Sequence, residues 1–302
     1  MLMEIQPDLP HELREIDIES DPDLLKRYAE NIPVLKIGPY TLEAPIERVD
    51  IEVALRAAAG SVSTLNQPDA GMSRGRALGL NRGLLFFARH WLAIFNLIVF
   101  VYVSLPFAAP TLMKVGAERP ARLIYTVYKP LCHQLAYRSW FVFGDQAVYP
   151  LERADLPGRT YEQLTGNTAE DLFAGRDYVG DEGSGYKVAL CQRDVAIYGG
   201  ILLSGLFFGL FRKRLKPLPI IAWAVFGILP LAIDGGSQLL GFIPLIDFPV
   251  RESTPFLRSL TGLLFGVMNV WLAYPYVEET MQETRIAIAD KLAAAGELQS
   301  EA

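Results

Sequence analysis

The run of apolar residues along this chain changes character twice. Residues 91–110 (WLAIFNLIVFVYVSLPFAAP) are twenty positions without a charge, and residues 195–211 and 259–277 read the same way. A further apolar run begins at Leu218, meets Asp234 and continues to Gly241. A bilayer core about 30 Å thick takes about 20 apolar residues in helix. Helix also satisfies every backbone group within the segment, which lipid demands. The pattern therefore predicts four spans, at residues 91–110, 195–211, 218–241 and 259–277, in a membrane domain over residues 84–278. Residues 1–60 follow another grammar. ELREIDI alternates as a half-buried strand does. Asp21 can cap a helix over DPDLLKRYAE with Pro22 at its first position. IPVLKI and PYTLE read as strands, and IERVDIEVALRAAAG as a closing amphipathic helix. Residues 61–83 open on Ser, Asn, Gln, Pro and Gly and read as a linker, and residues 279–302 as a tail helix.

Charge sets the expected orientation. Arg74, Arg76, Arg82 and Arg89 precede the first span, and Arg212, Lys213, Arg214 and Lys216 fill the second-to-third connection. The positive-inside rule puts both groups, and with them both termini, on the cytoplasmic side of an inner membrane. The outside then receives residues 114–194 and the turn 241–258. The first of these is an insert that reads as loop-rich, with GDQAVYPLERADLPGRT and VGDEGSG. Residues 119–143 carry too many charges for a fifth span, at about 2.5–3.5 kcal/mol for each at mid-membrane. A surface helix or a re-entrant hairpin broken at Pro130 fits them better. The expected fold class is mostly α: a four-helix transmembrane bundle with an extracytoplasmic insert, preceded by a small partial α/β segment. The N-terminus MLMEIQPDLP lacks the charged-then-apolar pattern of a signal peptide. A net charge of −6 excludes a nucleic-acid partner. The lipid bilayer is the expected one.

The chain has two cysteines and three histidines, yet Cys132 and His133 are adjacent, between Lys129 and Arg138. The topology brings four polar groups to the outer face: Cys132, His133 and Arg138; Cys191, Arg193 and Asp194; Asp234 and Gln238; and Arg251, Glu252 and Arg258. Charges at a membrane edge are costly unless paired, so Asp194, Asp234, Arg193, Arg251 and Arg258 are expected to pair with one another. Three outcomes stand open for the cysteines. A structural disulfide would stabilise by about 4 kcal/mol in the chain-entropy model. A metal site, with zinc the natural ion, could use Cys132, His133, Cys191 and Asp194. A redox-active pair would make Cys132, Cys191 and His133 catalytic, since Lys129, His133 and Arg138 favour thiolate. Either of the last two implies a thiol–disulfide or metal-linked oxidoreductase, with thiol proteins or a quinone-type electron carrier as partners. The alternative is a small-molecule or ion binding or transport protein built on Asp234, Gln238, Arg251 and Arg258. The sequence holds no HExxH motif, Walker loop or Ser-His-Asp order.

Two resemblances add to this. REIDIESDPDLLKRYAENIPVLKIG resembles the glutaredoxin-like family of the thioredoxin fold, over about 60 residues. The resemblance implies that Pro33, after Ile32, is the cis-proline that sits against the redox pair. The family's first strand and C-x-x-C are not here, and MLMEIQPDLP resembles only the tail of its first helix. Either the segment is degenerate or Met1 is an internal methionine, and the clean break at a methionine favours the second. The rest, from about Leu84 to Val277, resembles an uncharacterised family of polytopic membrane proteins. The matching blocks are CHQ at 132–134, RS at 138–139, CQRDVAIYGG at 191–200, DGGSQLLG at 234–241, REST at 251–254 and LRSLTG at 257–262. Where that family has a second cysteine in Cys-x-Arg-Cys, this chain has Asp194. The resemblance implies no activity.

Overall fold

The computed structural model describes residues 2–7, 9–20, 25, 28–29, 31–38, 40–66, 74–212, 215–240 and 249–294. Most of the expected helix at 21–30, the middle of the linker, Lys213, Arg214 and the turn at 241–248 lie outside them. The chain forms two compact units, Met1–Arg82 and Gly83–Ala302.

In the first unit, strands β1 (Val34–Ile37) and β2 (Tyr40–Glu43) pair as an antiparallel hairpin, with Val34 opposite Glu43. Gly38 takes the turn at a φ of +57°, a conformation that costs glycine nothing. The helix Arg48–Asn66 packs on this hairpin and buries Ile51 and Ala54. Asp50 accepts from the Glu47 N–H at 3.0 Å and caps its start. The helix runs through Gly60 and into the stretch read as linker. The Ile32–Pro33 peptide is cis. The expected strand at ELREIDI is not formed: the segment has no partner strand among the described residues, and Leu13 and Ile16 are exposed. Alternation makes a strand only where a neighbour pairs with it.

The second unit is mostly helical, and four helices are long and apolar enough to cross a membrane. Span 1 lies in the helix Arg74–Lys114, span 2 is Gln192–Phe211, span 3 is Ile220–Leu240 and span 4 lies in Pro255–Ala294. At about 1.5 Å per residue, the twenty residues of span 2 reach about 30 Å. As far as Ala294, the expected tail helix is the uninterrupted continuation of span 4. Proline within a helix strips the carbonyl four residues earlier of its partner, and two such carbonyls are satisfied from outside their helix. Pro106 frees the Tyr102 carbonyl, which accepts from the Tyr128 hydroxyl at 2.7 Å. Pro275 frees that of Trp271, which accepts from the Leu218 N–H at 3.3 Å. In span 3 the backbone widens to a π-turn over Ala224–Ile228, just before Pro230.

Spans 2 and 4 meet through glycine. A Cβ at Gly266 would lie 2.3 Å from the Ile197 carbonyl oxygen, and one at Gly262 2.7 Å from that of Arg193. Gly262 and Gly266 form a G-x-x-x-G step, which lets helix backbones approach in lipid. Trp91, Leu92, Phe208, Val270 and Tyr274 fill the space among spans 1, 2 and 4.

The insert between spans 1 and 2 is more ordered than its loop-rich sequence implied. A helix at Glu118–Tyr128 buries Ala121, Tyr125 and Tyr128, spaced by four and three, and leaves Leu123 and Val127 exposed. Strands β3 (Ser139–Val142), β4 (Gly180–Asp181) and β5 (Gly185–Cys191) form an antiparallel sheet in the order β3-β5-β4. Tyr137, Phe141, Tyr149, Leu151 and Tyr161 build a core on it. A second cluster ties the insert to the end of span 1: Ala109, Tyr125, Tyr128, Cys132, Ala189 and Leu190.

Candidate functional site

The two cysteines arrive at one place by different local rules. The helix Glu118–Tyr128 stops before Pro130, and the Cys132 N–H still reaches the Tyr128 carbonyl at 3.0 Å. Gln134 then turns the chain at a φ of +53°, and its side-chain amide donates to the Tyr125 carbonyl at 2.9 Å. Cys132 is thus fixed in the packed cluster at the end of span 1. Cys191 ends β5 and caps span 2, where its Sγ accepts from the Asp194 N–H at 3.5 Å. Pairing of Ser139 with Cys191 across β3 and β5 holds the two segments together. The Cys191 N–H donates to Cys132 Sγ at 3.3 Å.

Cys132 Sγ, Cys191 Sγ and an Asp194 carboxylate oxygen lie within 4.8 Å of one another. Cys132 is buried and Cys191 partly so. The hydrogen bond to Cys132 and, after it, burial push the Cys191 thiol well above its ordinary range. His133 is exposed, where its neighbour Cys132 is buried, and does not join the converging ligand atoms. Two thiols and a carboxylate can exchange protons, form a disulfide or offer three ligands to a soft-to-borderline metal. Pro33 lies in the other unit.

The expected pairing of Arg193 and Arg251 with Asp234 forms, whereas Arg258 pairs with Glu252 and Asp194 makes no ion pair among the described residues. Asp234 of span 3 accepts from Arg193, from Arg251 at 3.2 Å, and from the Ser253 hydroxyl at 2.7 and 2.8 Å. The Gln238 side chain folds back to the Asp234 carbonyl at 2.8 Å, and Arg251 also donates to Ser237. Glu252 receives a two-pronged contact from Arg138, at 2.8 and 3.0 Å, and a second guanidinium from the buried Arg258. Arg258 in turn faces the Gln192 side chain at 3.4 Å, and Arg153 stands 4.0 Å from Glu252. A buried carboxylate is tolerable only with this degree of pairing. The network links the insert, the start of span 2, span 3 and the start of span 4.

Arg153, Gln192, Ser237 and Lys187 were not among the residues the sequence singled out. Lys187 of β5 is fully buried, and its ammonium donates to the main-chain oxygens of Gln134 at 2.8 Å and Arg176 at 2.5 Å. Removal from water, opposed by Asp177, brings it down to about 7. A lone lysine in YKVALC carries no sequence signal of burial.

Comparison with known proteins matches this part of the chain. Residues 183–272 fit the family model described as "Predicted membrane protein (DUF2085)". That stretch holds Cys191, Arg193, Asp194, Asp234, Gln238, Arg251, Glu252 and Arg258, and leaves Cys132, His133 and Arg138 outside. An uncharacterized protein of Methanocaldococcus jannaschii is 27% identical over 154 residues, 50% of this chain and 67% of that protein. No solved structure matches. The chain is therefore a membrane protein with four candidate spans that carries a DUF2085-like stretch across spans 2, 3 and much of 4.

Proposed function

We propose that this chain is a membrane thiol protein whose Cys132 and Cys191 form a reversible two-electron centre on the outer face of the bundle. The observation that carries the reading is the convergence of both sulfurs and the Asp194 carboxylate within 4.8 Å, at the junction of insert and span 2. The partner is a disulfide, on a protein or a small molecule. Cys191, a partly exposed residue where Cys132 is buried, meets it first. Its raised thiol needs a base, and Asp194 is the carboxylate beside it. With the proton on Asp194, Cys191 Sγ attacks one partner sulfur, and the other leaves as a thiolate and takes up a proton. Cys132 Sγ then attacks Cys191 Sγ and breaks the mixed disulfide. The second partner thiol departs with the remaining proton. The chain gives up two electrons and two protons, and the partner disulfide becomes two thiols. The positive-inside rule, applied to the arginines before span 1, supports the outward placement of this end.

The experiment is a redox titration of the purified full-length protein in glutathione buffers, followed by trapping with an alkylating reagent. A single reversible transition that alkylates both cysteines together supports the reading. Cysteines that stay oxidised in every buffer, or stay reduced in all of them, contradict it. The same three ligand atoms favour one second reading, a zinc ion held by Cys132, Cys191 and Asp194 with an open fourth position. One equivalent of zinc in the purified protein, lost in Cys191→Ser, would select it.

A further inference from the structure

The arginine network carries more positive charge than it neutralises. Arg138, Arg153, Arg193, Arg251 and Arg258 place five guanidinium groups on two carboxylates, Asp234 and Glu252. Counting Asp194, next in sequence to Arg193, and Glu152, next to Arg153, still leaves one positive charge in excess among the described residues. Arginine does not shed its proton to relieve such an excess. The network is also continuous, because Arg258 reaches Gln192, the neighbour of Arg193, and Arg251 and Glu252 are adjacent.

The surroundings add to the same sign. Spans 2 and 4 both begin here, at Gln192 and Pro255, so the positive ends of two long helices face the cluster. Arg138, Arg153 and Arg251 have side chains 35%, 34% and 36% exposed, a rim over the buried Arg258. Two buried polar atoms beside Asp234 have no hydrogen-bond partner among the described residues: the donor Arg193 Nε and the acceptor Gln238 Oε1. Gln238 is itself 7% exposed. A hydroxyl-bearing oxyanion would supply an acceptor to the one and a donor to the other, and its charge would balance the arginines.

We propose that this arginine cluster is a binding site for an oxyanion of the phosphate class, carried on a lipid headgroup or on a soluble phosphate ester. Arg138, Arg153 and Arg251 grip the oxyanion, Arg193 donates through Nε, and Gln238 accepts from a hydroxyl. Asp234 and Glu252 hold the guanidinium groups in place and do not fill the site. The level of the cluster, where three spans leave the apolar core, is also the level of lipid headgroups. The site is independent of the thiol pair.

The test uses the full-length protein in detergent micelles. Phosphatidylglycerol added to the micelles, with phosphatidylcholine as control, probes the lipid source, and glycerol 3-phosphate probes the soluble one. The expected result is saturable stabilisation by at least one of the two phosphates, weakened by salt. Arg153→Gln and Arg251→Gln should each weaken it about tenfold, the value of one charge-assisted contact. A response to phosphatidylglycerol alone assigns a headgroup site, and a response to glycerol 3-phosphate assigns a soluble ligand. No response to either overturns the proposal, as does wild-type affinity in both variants. Should a variant lose its cooperative melt, phenylglyoxal labelling of the wild-type protein decides. Saturating phosphate should shield Arg153 and Arg251 from the reagent, and unchanged labelling overturns the proposal.

Discussion

Replacing Lys187 by Met should flatten the pH dependence of stability between pH 7 and 8.5. In the fold, burial first and the Asp177 charge against it bring the Lys187 ammonium to about 7, from 10.5 for a free lysine. The folded value is the lower one, so between the two the unfolded chain binds the extra proton. Stability must therefore rise with pH across that window. Integrating the linkage relation from pH 7 to 8.5 gives roughly 2 kcal/mol, since the lysine is already half neutral at the lower end. Above pH 8.5 a second group opposes it. The Cys191 thiol is raised in the fold, so its contribution is present below the ordinary thiol range and is lost as pH climbs beyond it. The window closes there. A gain of that order corresponds to a rise of roughly 4–8 °C in the unfolding midpoint. The assay is a thermal melt of the purified protein at pH 7.0, 7.5, 8.0 and 8.5, beside Lys187→Met. The variant loses the titration but leaves the Gln134 and Arg176 carbonyls without their donor, so its absolute midpoint can move either way. The slope difference is the prediction. Parallel slopes would show that Lys187 is not held in a desolvated position.

Three further outcomes follow from the packing and the charges. Tyr128→Phe removes the hydroxyl that satisfies the Tyr102 carbonyl freed by Pro106, and should lower stability by about 1–3 kcal/mol; an unchanged melt would mean another group takes that bond. Gly266→Leu places a side chain where even a Cβ would be 2.3 Å from the Ile197 oxygen, and should shift the protein to the aggregated fraction in size-exclusion chromatography, whereas a monodisperse profile would show that spans 2 and 4 do not touch there. Glu252→Gln leaves the buried Arg258 and the adjacent Arg138 without their carboxylate, and should cost about 3–5 kcal/mol in a denaturant melt; a loss under 1 kcal/mol would contradict the buried pairing.

Much of this molecule was legible because lipid imposes a strong rule. The apolar runs at residues 91–110 and 195–211 could hardly be anything but spans, and their helices run where the runs do. The pairing of Arg193 and Arg251 with Asp234 was legible for the same reason, since each had to find a partner, whereas the role of Glu252 was not. What the sequence hid depends on partners distant along the chain. ELREIDI alternates like a strand but has no strand to pair with among the described residues. The insert looked loop-rich because its tyrosines, which fill a core around β3 and β5, are spaced with no period. His133 shared attention with Cys132 by adjacency, yet it is exposed where Cys132 is buried, and only Cys132 meets Cys191. Lys187 and Arg153 were invisible because burial and a contact across about a hundred residues leave no local mark.

Disulfide mapping tests the central reading most directly. The full-length protein is oxidised mildly in its membrane, unreacted thiols are alkylated, and the digest is read by mass spectrometry. The expected product is one linked peptide pair joining Cys132 to Cys191 within a single chain, reversed by reductant. Separately alkylated cysteines at every oxidant level, or a bond formed only between two chains, would mean that the sulfurs do not meet.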